Sequence, residues 1–292
     1  MRLSTLAWIW IAQGIGGATP ALTKLALDGM GPFTLVVVRQ LIGTAFLYAL
    51  ATLGARARGP GVAPSAPWTP RDILLLLLLS WAGFGLPQNP SALGLQLSSA
   101  THGPLLSPLE PIGILLGAAW LLRERLGVPH MLAAGFGIAG TLLIVLPSAL
   151  GTADPRAGHF GGDLILAAGH MSWAIYTLAA KSLVERHDPL RLAIIAGLLS
   201  TLPLIPFLPS EPFVAAHALP ALGWVLLLAF LASGVGIFAW NRALRDVSAG
   251  TMAIFVFVQP VVGLAIGTLA LGEPTTVLAI LGAALIALGV AL

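Results

Sequence analysis

The stretch "PLEPIGILLGAAWLLRERL" (residues 108–126) carries one carboxylate, Glu110, directly before a proline in an otherwise apolar run. A closely similar pattern returns in "FVQPVVGLAIGTLALGEPT" (residues 257–275), where Gln259 replaces Glu110 at an offset of 149 residues. Both runs are long and apolar enough to enter a membrane, where a charged side chain is costly. The chain therefore contains an internal duplication with a polar residue at one position of each copy.

The composition indicates a membrane protein. Of the 292 residues, 58% are hydrophobic and 9% are charged, whereas soluble domains carry about 25% charged residues. The absence of cysteine excludes disulfides, thiolate metal sites and thiol nucleophiles. The basic residues lie at the ends of apolar runs rather than on one face, which argues against a nucleic-acid partner.

A helix needs about 20 apolar residues to cross the hydrocarbon core, and polar, Pro-rich or Gly-rich breaks divide the chain accordingly. The predicted spans are residues 3–27, 32–54, 71–94, 98–122, 129–147, 161–184, 189–208, 220–244, 248–270 and 275–291. We therefore expect an all-α membrane protein with ten transmembrane helices. Residues 1–150 and 151–292 form two five-span repeats of one transport domain.

The distribution of Lys and Arg predicts that both chain ends lie in the cytoplasm. In this orientation eleven basic residues lie on the cytoplasmic side and two, Lys24 and Arg156, on the outer side, with Arg39 left within the second span. The eleven are Arg2, Arg56, Arg58, Arg71, Arg123, Arg125, Lys181, Arg186, Arg191, Arg242 and Arg245. We expect a multi-pass protein of the bacterial inner membrane.

The duplication covers the first spans as well. At an offset of 157 residues the related pairs are Gln13 and His170, Lys24 and Lys181, and Pro32 and Pro189. Because each half has an odd number of spans, the second half enters the membrane from the opposite side. Such an inverted repeat is typical of transporters that work by alternating access around a site near the bilayer midplane.

In each half, a proline is followed by about a dozen mainly apolar residues and then a glutamate, from Pro111 to Glu124 and from Pro260 to Glu273. With the ten short spans, this pattern resembles the EamA type of the drug/metabolite transporter superfamily over nearly the whole chain. The Gly-rich segment "QGIGGATPALTKLAL" (residues 13–27) is similar to bacterial inner-membrane amino-acid exporters, including aromatic amino-acid exporters. The resemblance implies a helical carrier that exports small metabolites.

Four polar residues are predicted to share one depth. At about 1.5 Å per residue, Glu110 and Gln259 lie about 16–18 Å into their spans, and Gln13 and His170 reach a similar level. Side chains of this kind are costly against lipid, so they are expected to face a cavity or other protein. These four residues are the first candidates for a substrate site in the central cavity.

For several candidates a structural role is as well founded as a functional one. Glu110 binds a substrate amine or a proton, or it belongs to a structural network with Arg39 or His102. Gln259 either contacts substrate or joins helices by a hydrogen bond. Arg39 acts in gating or carboxylate binding, or its side chain extends to the outer surface. His170 and His102 bind substrate or are core residues.

Three aromatic residues near the same level, Trp81, Trp173 and Phe84, either line the cavity or only pack. Pro111 and Pro260 are expected to bend their helices and to leave the carbonyls of Ser107 and Val256 without a helical partner. Small residues that permit close helix packing follow each proline. They are Gly113, Gly117, Gly263 and Gly267.

The sequence contains no motif of a common hydrolase, kinase or metalloprotease, so no enzymatic activity, cofactor or metal is expected. The proposed partners are a small-molecule substrate, such as an amino acid, and the lipid bilayer, and the protein is compatible with a monomer. A proton-coupled exporter of cationic drugs remains an alternative. An ion channel and an intramembrane enzyme are the alternatives from other classes.

Overall fold

The computed structural model describes residues 2–27, 30–58, 66–85, 106–151, 160–211, 215–271 and 276–292. These residues are almost entirely helical, and none of them belongs to a β-strand. The predicted all-α class is therefore confirmed for the described part of the chain.

The helices follow the predicted spans closely. In chain order the described α-helices are α1 (Leu3–Leu27), α2 (Pro32–Arg58), α3 (Pro70–Leu78), α4 (Leu109–Trp120), α5 (Val128–Gly151), α6 (Phe160–Val184), α7 (Pro189–Thr201), α8 (Ala215–Leu228), α9 (Ile237–Asp246), α10 (Ala249–Val256), α11 (Val258–Leu271) and α12 (Val277–Ala291). The π-helical segments Leu79–Gly85 and Ala229–Gly236 continue α3 and join α8 to α9, and the 3₁₀ segment Leu202–Ser210 continues α7.

Several described helices have the length and composition needed to cross a membrane. These are Pro32–Gly54, Val128–Val145, Pro189–Ser210, Ala221–Asp246 and Ala249–Ile266. The shorter helices α4 and α12 are also apolar. The chain is thus a multi-pass membrane protein, while the total of ten spans stays a prediction.

Side chains that accept backbone N–H groups define where several helices begin. Thr69 and Asp72 form a reciprocal capping box at the start of α3, and Asp188 caps α7. Ser248 and Thr276 cap α10 and α12 with their hydroxyl groups. Polar residues at the ends of apolar runs therefore set the helix boundaries that hydropathy alone leaves approximate.

The chain divides into two compact units. The first contains Met1–Asn89 and Ile175–Val247, and the second contains Pro90–Ala174 and Ser248–Leu292. Each unit therefore takes helices from both halves of the sequence. The compact units differ in this respect from the two predicted repeats, which are consecutive in sequence.

In the first unit, α2 packs against α7, which is its counterpart in the second half of the sequence. Gln40 Nε2 donates to Ser200 Oγ at 3.3 Å, and the side chain of Thr44 lies against Gly197. Residue numbers rise along α2 as they fall along α7, so the two helices run antiparallel.

In the second unit, α5 packs against its sequence counterpart α12. A Cβ atom at Gly140 would lie 2.5 Å from the Gly282 carbonyl oxygen, and one at Gly289 would lie 3.0 Å from the Ala133 carbonyl oxygen. Residues this small let the helix backbones approach closely. The repeat offset of 149 converts Gly140 into Gly289 and Ala133 into Gly282, so the two contacts exchange. The helices are antiparallel and locally related by a pseudo-two-fold axis.

Candidate functional site

Glu110 lies in the first turn of α4, directly after a break in the helical path of the chain. Leu106 is helical, Ser107 and Pro108 form a turn, and α4 begins at Leu109. The aligned backbone dipoles of a helix give its N-terminus a partial positive charge, which favours a carboxylate in the first turn. The break therefore helps to accommodate a charged side chain in an apolar segment.

The break comes before Pro111, which is the third residue of α4. The Glu110 N–H donates to the Ser107 carbonyl at 3.2 Å, and the Ile112 N–H donates to the Pro108 carbonyl at 3.2 Å. The expectation that the Ser107 carbonyl lacks a partner is therefore wrong. A tight turn satisfies the carbonyl that the proline, having no N–H, cannot.

The second half of the chain has a matching break. Phe257 is a turn residue between α10 and α11. Gln259 and Pro260 are the second and third residues of α11, the positions that Glu110 and Pro111 hold in α4. Both prolines thus follow a helix break, and both breaks lie in the second compact unit.

Glu110 has a titratable neighbour, His170, on α6. Glu110 Oε2 lies 3.7 Å from His170 Nδ1, and the side chains are 13% and 26% exposed. This distance is too long for a hydrogen bond but permits an ion pair when the imidazole is protonated. The other carboxylate oxygen, Oε1, is buried and has no hydrogen-bond partner among the residues that the structure describes.

Gly113 allows α4 to approach α6 closely beside this pair. A Cβ atom at Gly113 would lie 2.9 Å from the Met171 side chain and 3.0 Å from the Ala174 Cβ. Gly113 lies about one turn beyond Glu110, and Met171 directly follows His170. The packing role predicted for Gly113 therefore also positions the carboxylate beside the imidazole.

For the remaining candidates of the second unit, the structure gives the helix position and, for most of them, the burial. Gln259 is half-buried near the start of α11. Gly117 is half-buried, Gly263 is exposed, and Gly267 lies within α11. The substrate contact of Gln259 and the packing roles of these three glycines stay predictions.

Two polar candidates lie in the first unit. Gln13 is completely buried in α1. Arg39 is buried in α2 with 6% of its surface exposed, which argues against a side chain that extends to the surface. No hydrogen bond or ion pair joins Arg39 to another of the described residues.

The aromatic candidates are divided between the units. Trp81 Nε1 donates to the Leu199 carbonyl at 3.0 Å in the first unit, a contact that ties the π-helical end of α3 to α7. Trp173 is half-buried on α6 in the second unit. His102 and the side chain of Phe84 lie outside the described residues.

A charged cluster near the start of α3 was not among the predicted sites. Asp72 Oδ1 lies 3.0 Å from Arg186 Nη1, and Asp72 Oδ2 lies 3.3 Å from His187 Nε2. The Trp68 ring stacks on the His187 ring with centroids 3.9 Å apart. The capping signature "TPRD" at residues 69–72 marks the helix start, but it contains no information about partners more than 100 residues away.

Two carboxylates cap helices from distant positions in the sequence. Glu124 accepts the N–H groups of Ala249 and Gly250 at 2.9 Å each, at the start of α10. Glu211 accepts two N–H groups of the first turn of α2 at 2.7 Å each. These contacts give Glu124 and Glu211 a structural role at the starts of α10 and α2.

The sequence matches the EamA-like transporter family over residues 3–146 and 160–292, which is nearly its whole length. The protein belongs to this family. As an EamA-like transporter it moves a small-molecule substrate across a membrane and is not an enzyme. The gap between the matched segments contains the predicted boundary of the repeats.

Relatives of this EamA-like transporter match it from end to end. An uncharacterized transporter of Archaeoglobus fulgidus is 24% identical over 285 residues, covering 97% of this chain and 96% of that protein. A probable terminal-alkyne amino-acid exporter of Streptantibioticus cattleyicolor is 27% identical over 296 residues, covering 100% of this chain and 94% of that protein. A crystal structure of another protein superposes with a TM-score of 0.77 at 22% identity. The match covers 100% of this chain and 97% of that chain, so the two proteins share a fold.

Proposed function

We propose that this EamA-like transporter is an alternating-access carrier that exports amino acids from the cytoplasm. The similarity to a probable amino-acid exporter over the full chain supports this substrate class. The resemblance of the Gly-rich first helix to aromatic amino-acid exporters supports hydrophobic or aromatic amino acids and a broad side-chain range. The proposed carrier needs no cofactor and acts as a monomer.

Two antiparallel pairs of sequence-related helices support the proposed mechanism. The repeat-related helices α2 and α7 are antiparallel in one unit, and α5 and α12 are antiparallel in the other. Two five-span halves that enter the membrane in opposite directions would give this relation. Inverted repeats in transporters allow one structural element to move against another so that the site opens to either side.

The observation that carries the substrate class is the half-buried pair of Glu110 and His170. Glu110 Oε1 has no described partner and lies at a helix break, where the backbone is locally irregular. A carboxylate in this setting is suited to accept a charge-assisted hydrogen bond from an ammonium group. We therefore assign the amino group of the substrate to Glu110.

The proposed location is the bacterial inner membrane, with both chain ends in the cytoplasm. The distribution of eleven basic residues on one side against two on the other supports this orientation. Reporter fusions after residues 60, 126 and 187 are expected to be cytoplasmic, and a fusion after residue 155 periplasmic. Fusions at 126 and 155 that report the same side would contradict the ten-span topology.

Transport by purified protein in liposomes tests the proposed function. The panel contains amino acids, nucleosides and cationic dyes, each measured with and without a pH gradient. We expect saturable uptake of amino acids, with protein-free liposomes and Glu110→Gln protein as controls. Non-saturating, electrogenic ion flux would indicate a channel and would contradict the carrier.

A proton-coupled exporter of cationic compounds is the second candidate. The position of Glu110 favours it, because a half-buried carboxylate in a membrane-spanning region can bind either a proton or a cationic substrate. The same assay separates the two candidates. Uptake of dyes but not amino acids, dependent on the pH gradient, would support this second function.

A further inference from the structure

Arg39 in the first unit carries a charge that none of the described residues balances. Its guanidinium stays charged at physiological pH, yet only 6% of the residue is exposed. No hydrogen bond or ion pair connects it to the other residues for which the structure gives a position. A buried charge without a partner is strongly unfavourable, so an anionic group is expected beside it.

The described carboxylates of the first unit are all engaged elsewhere. Their partners are Arg186 and His187 for Asp72, Lys181 for Glu185, backbone amides of α7 for Asp188, backbone amides of α2 for Glu211, and Arg242 and Thr5 for Asp246. Asp28, the remaining acidic residue of this unit, lies outside the described residues. No described side chain of the unit is thus available to neutralise Arg39.

The neighbours of Arg39 on α2 make neutral contacts. The side-chain amide of Gln40 donates a hydrogen bond to Ser200. Gly43 lies four residues after Arg39, on the same face of α2, and packs against Ser233. These contacts fix α2 firmly without supplying a countercharge. The backbone that carries the guanidinium is therefore held in place independently of any ion pair.

The repeat provides an internal comparison for this position. At the offset of 157 residues, Arg39 corresponds to Ala196 on α7. Ala196 is also buried, with 1% of its surface exposed. The same helix position is thus filled by a small apolar residue in the other half, so packing of the two antiparallel helices does not require an arginine.

We propose that Arg39 binds the carboxylate group of the transported solute. A guanidinium can donate two parallel hydrogen bonds to one carboxylate, an arrangement that a lysine cannot reproduce. This inference rests on the proposed function, because it takes the anion to belong to an exported amino acid. It adds the requirement that the substrate carries a carboxylate.

The first test measures the thermal unfolding midpoint of purified protein without ligand. Arg39→Met should raise the midpoint, because it removes a buried charge that pairs with none of the described residues. Arg242→Met, which removes a charge paired with Asp246, is the matched control and should not raise it. A lower midpoint for Arg39→Met would reveal a structural counter-ion, such as Asp28, and would overturn the proposal.

The second test measures the midpoint with phenylalanine, with 2-phenylethylamine, which lacks the carboxylate, and with 3-phenylpropanoate, which lacks the ammonium. The two compounds with a carboxylate, phenylalanine and 3-phenylpropanoate, should stabilise wild-type and Arg242→Met protein. Arg39→Met should need about tenfold more of either carboxylate, as expected for loss of a charge-assisted pair. Its response to 2-phenylethylamine should be unchanged. An equal loss for all three compounds, or equal stabilisation by chloride, would overturn the proposal.

The binding test separates this inference from the proposed function. If liposomes show no amino-acid transport but Arg39 still determines carboxylate binding, the proposed function alone is wrong. If amino acids are transported and Arg39→Met keeps the wild-type preference for phenylalanine over 2-phenylethylamine, the inference alone is wrong.

Discussion

The two helix breaks of the second unit share their backbone design but differ in charge. Each break precedes a helix whose second residue is polar and whose third residue is proline. The polar residue is Glu110 in α4 and Gln259 in α11. Glu110 lies beside His170, 3.7 Å away, whereas the amide of Gln259 is neutral and half-buried.

The neutral Gln259 at the second break indicates that the break itself does not require a carboxylate. A negative side chain is favourable in the first turn of any helix, so Glu110 considered alone suggests a purely structural role. Gln259, however, occupies the same position without charge. The second copy thus serves as an internal control for the first. The proposed contact with the substrate would account for a charge at one break and not at the other.

The largest expected effect comes from making the two breaks alike. Glu110→Gln should lower amino-acid transport in liposomes by about tenfold or more, because a charge-assisted hydrogen bond contributes about 1.5–3 kcal/mol. The variant should accumulate in the membrane like wild type, since Gln is accepted at the related position. Normal transport, or loss of the protein from the membrane, would assign Glu110 a structural role.

Removing the neighbour of the charged break sharpens the comparison. His170→Gln should lower transport by about fivefold, because a partly buried ion pair contributes at most about 1 kcal/mol. The measurement is the initial rate of amino-acid uptake into liposomes. A rate equal to that of wild type would remove His170 from the site.

A smaller effect is expected at the neutral break. Gln259→Leu should lower transport by about twofold, the effect of losing a neutral hydrogen bond that contributes about 0.5 kcal/mol. The measurement is the initial rate of uptake at limiting substrate. A loss as large as that of Glu110→Gln would mean that both breaks contact substrate equally and that charge is not the distinguishing feature.

The smallest effect on transport is expected for a carboxylate that serves only as a cap. Glu124→Gln should leave the substrate affinity unchanged and should lower the thermal midpoint, because Glu124 accepts two N–H groups at the start of α10. Glu185→Gln, at a side chain that is 57% exposed, is the control and should change neither quantity. A weaker substrate affinity in Glu124→Gln would extend the site to α10.

The helices could be predicted from the sequence because their limits are local. Pro32 and Pro189 begin α2 and α7 at the predicted residues, and α1 has the predicted limits. In each case an apolar run meets a proline or a polar break, and hydropathy over about 20 residues is enough to locate it. The position of each proline was also informative, although the break comes before the proline rather than at it.

The partners of the polar residues could not be predicted because they depend on packing between distant segments. The contact of Glu110 with His170 joins positions 60 residues apart and depends on Gly113, which allows α6 to approach α4. Asp72 likewise contacts residues far away in the sequence, because its partners Arg186 and His187 lie just after α6. Depth along a span indicates which residues share a level but not which side chains meet.

Competition in liposomes tests whether Glu110 recognises the ammonium group of the substrate. Inhibition of phenylalanine uptake by unlabelled phenylalanine and by 3-phenylpropanoate, which lacks the ammonium, is measured for wild-type and Glu110→Gln protein. We predict that wild type prefers phenylalanine by about tenfold or more and that Glu110→Gln loses this preference. An unchanged preference in the variant would show that Glu110 does not recognise the ammonium group.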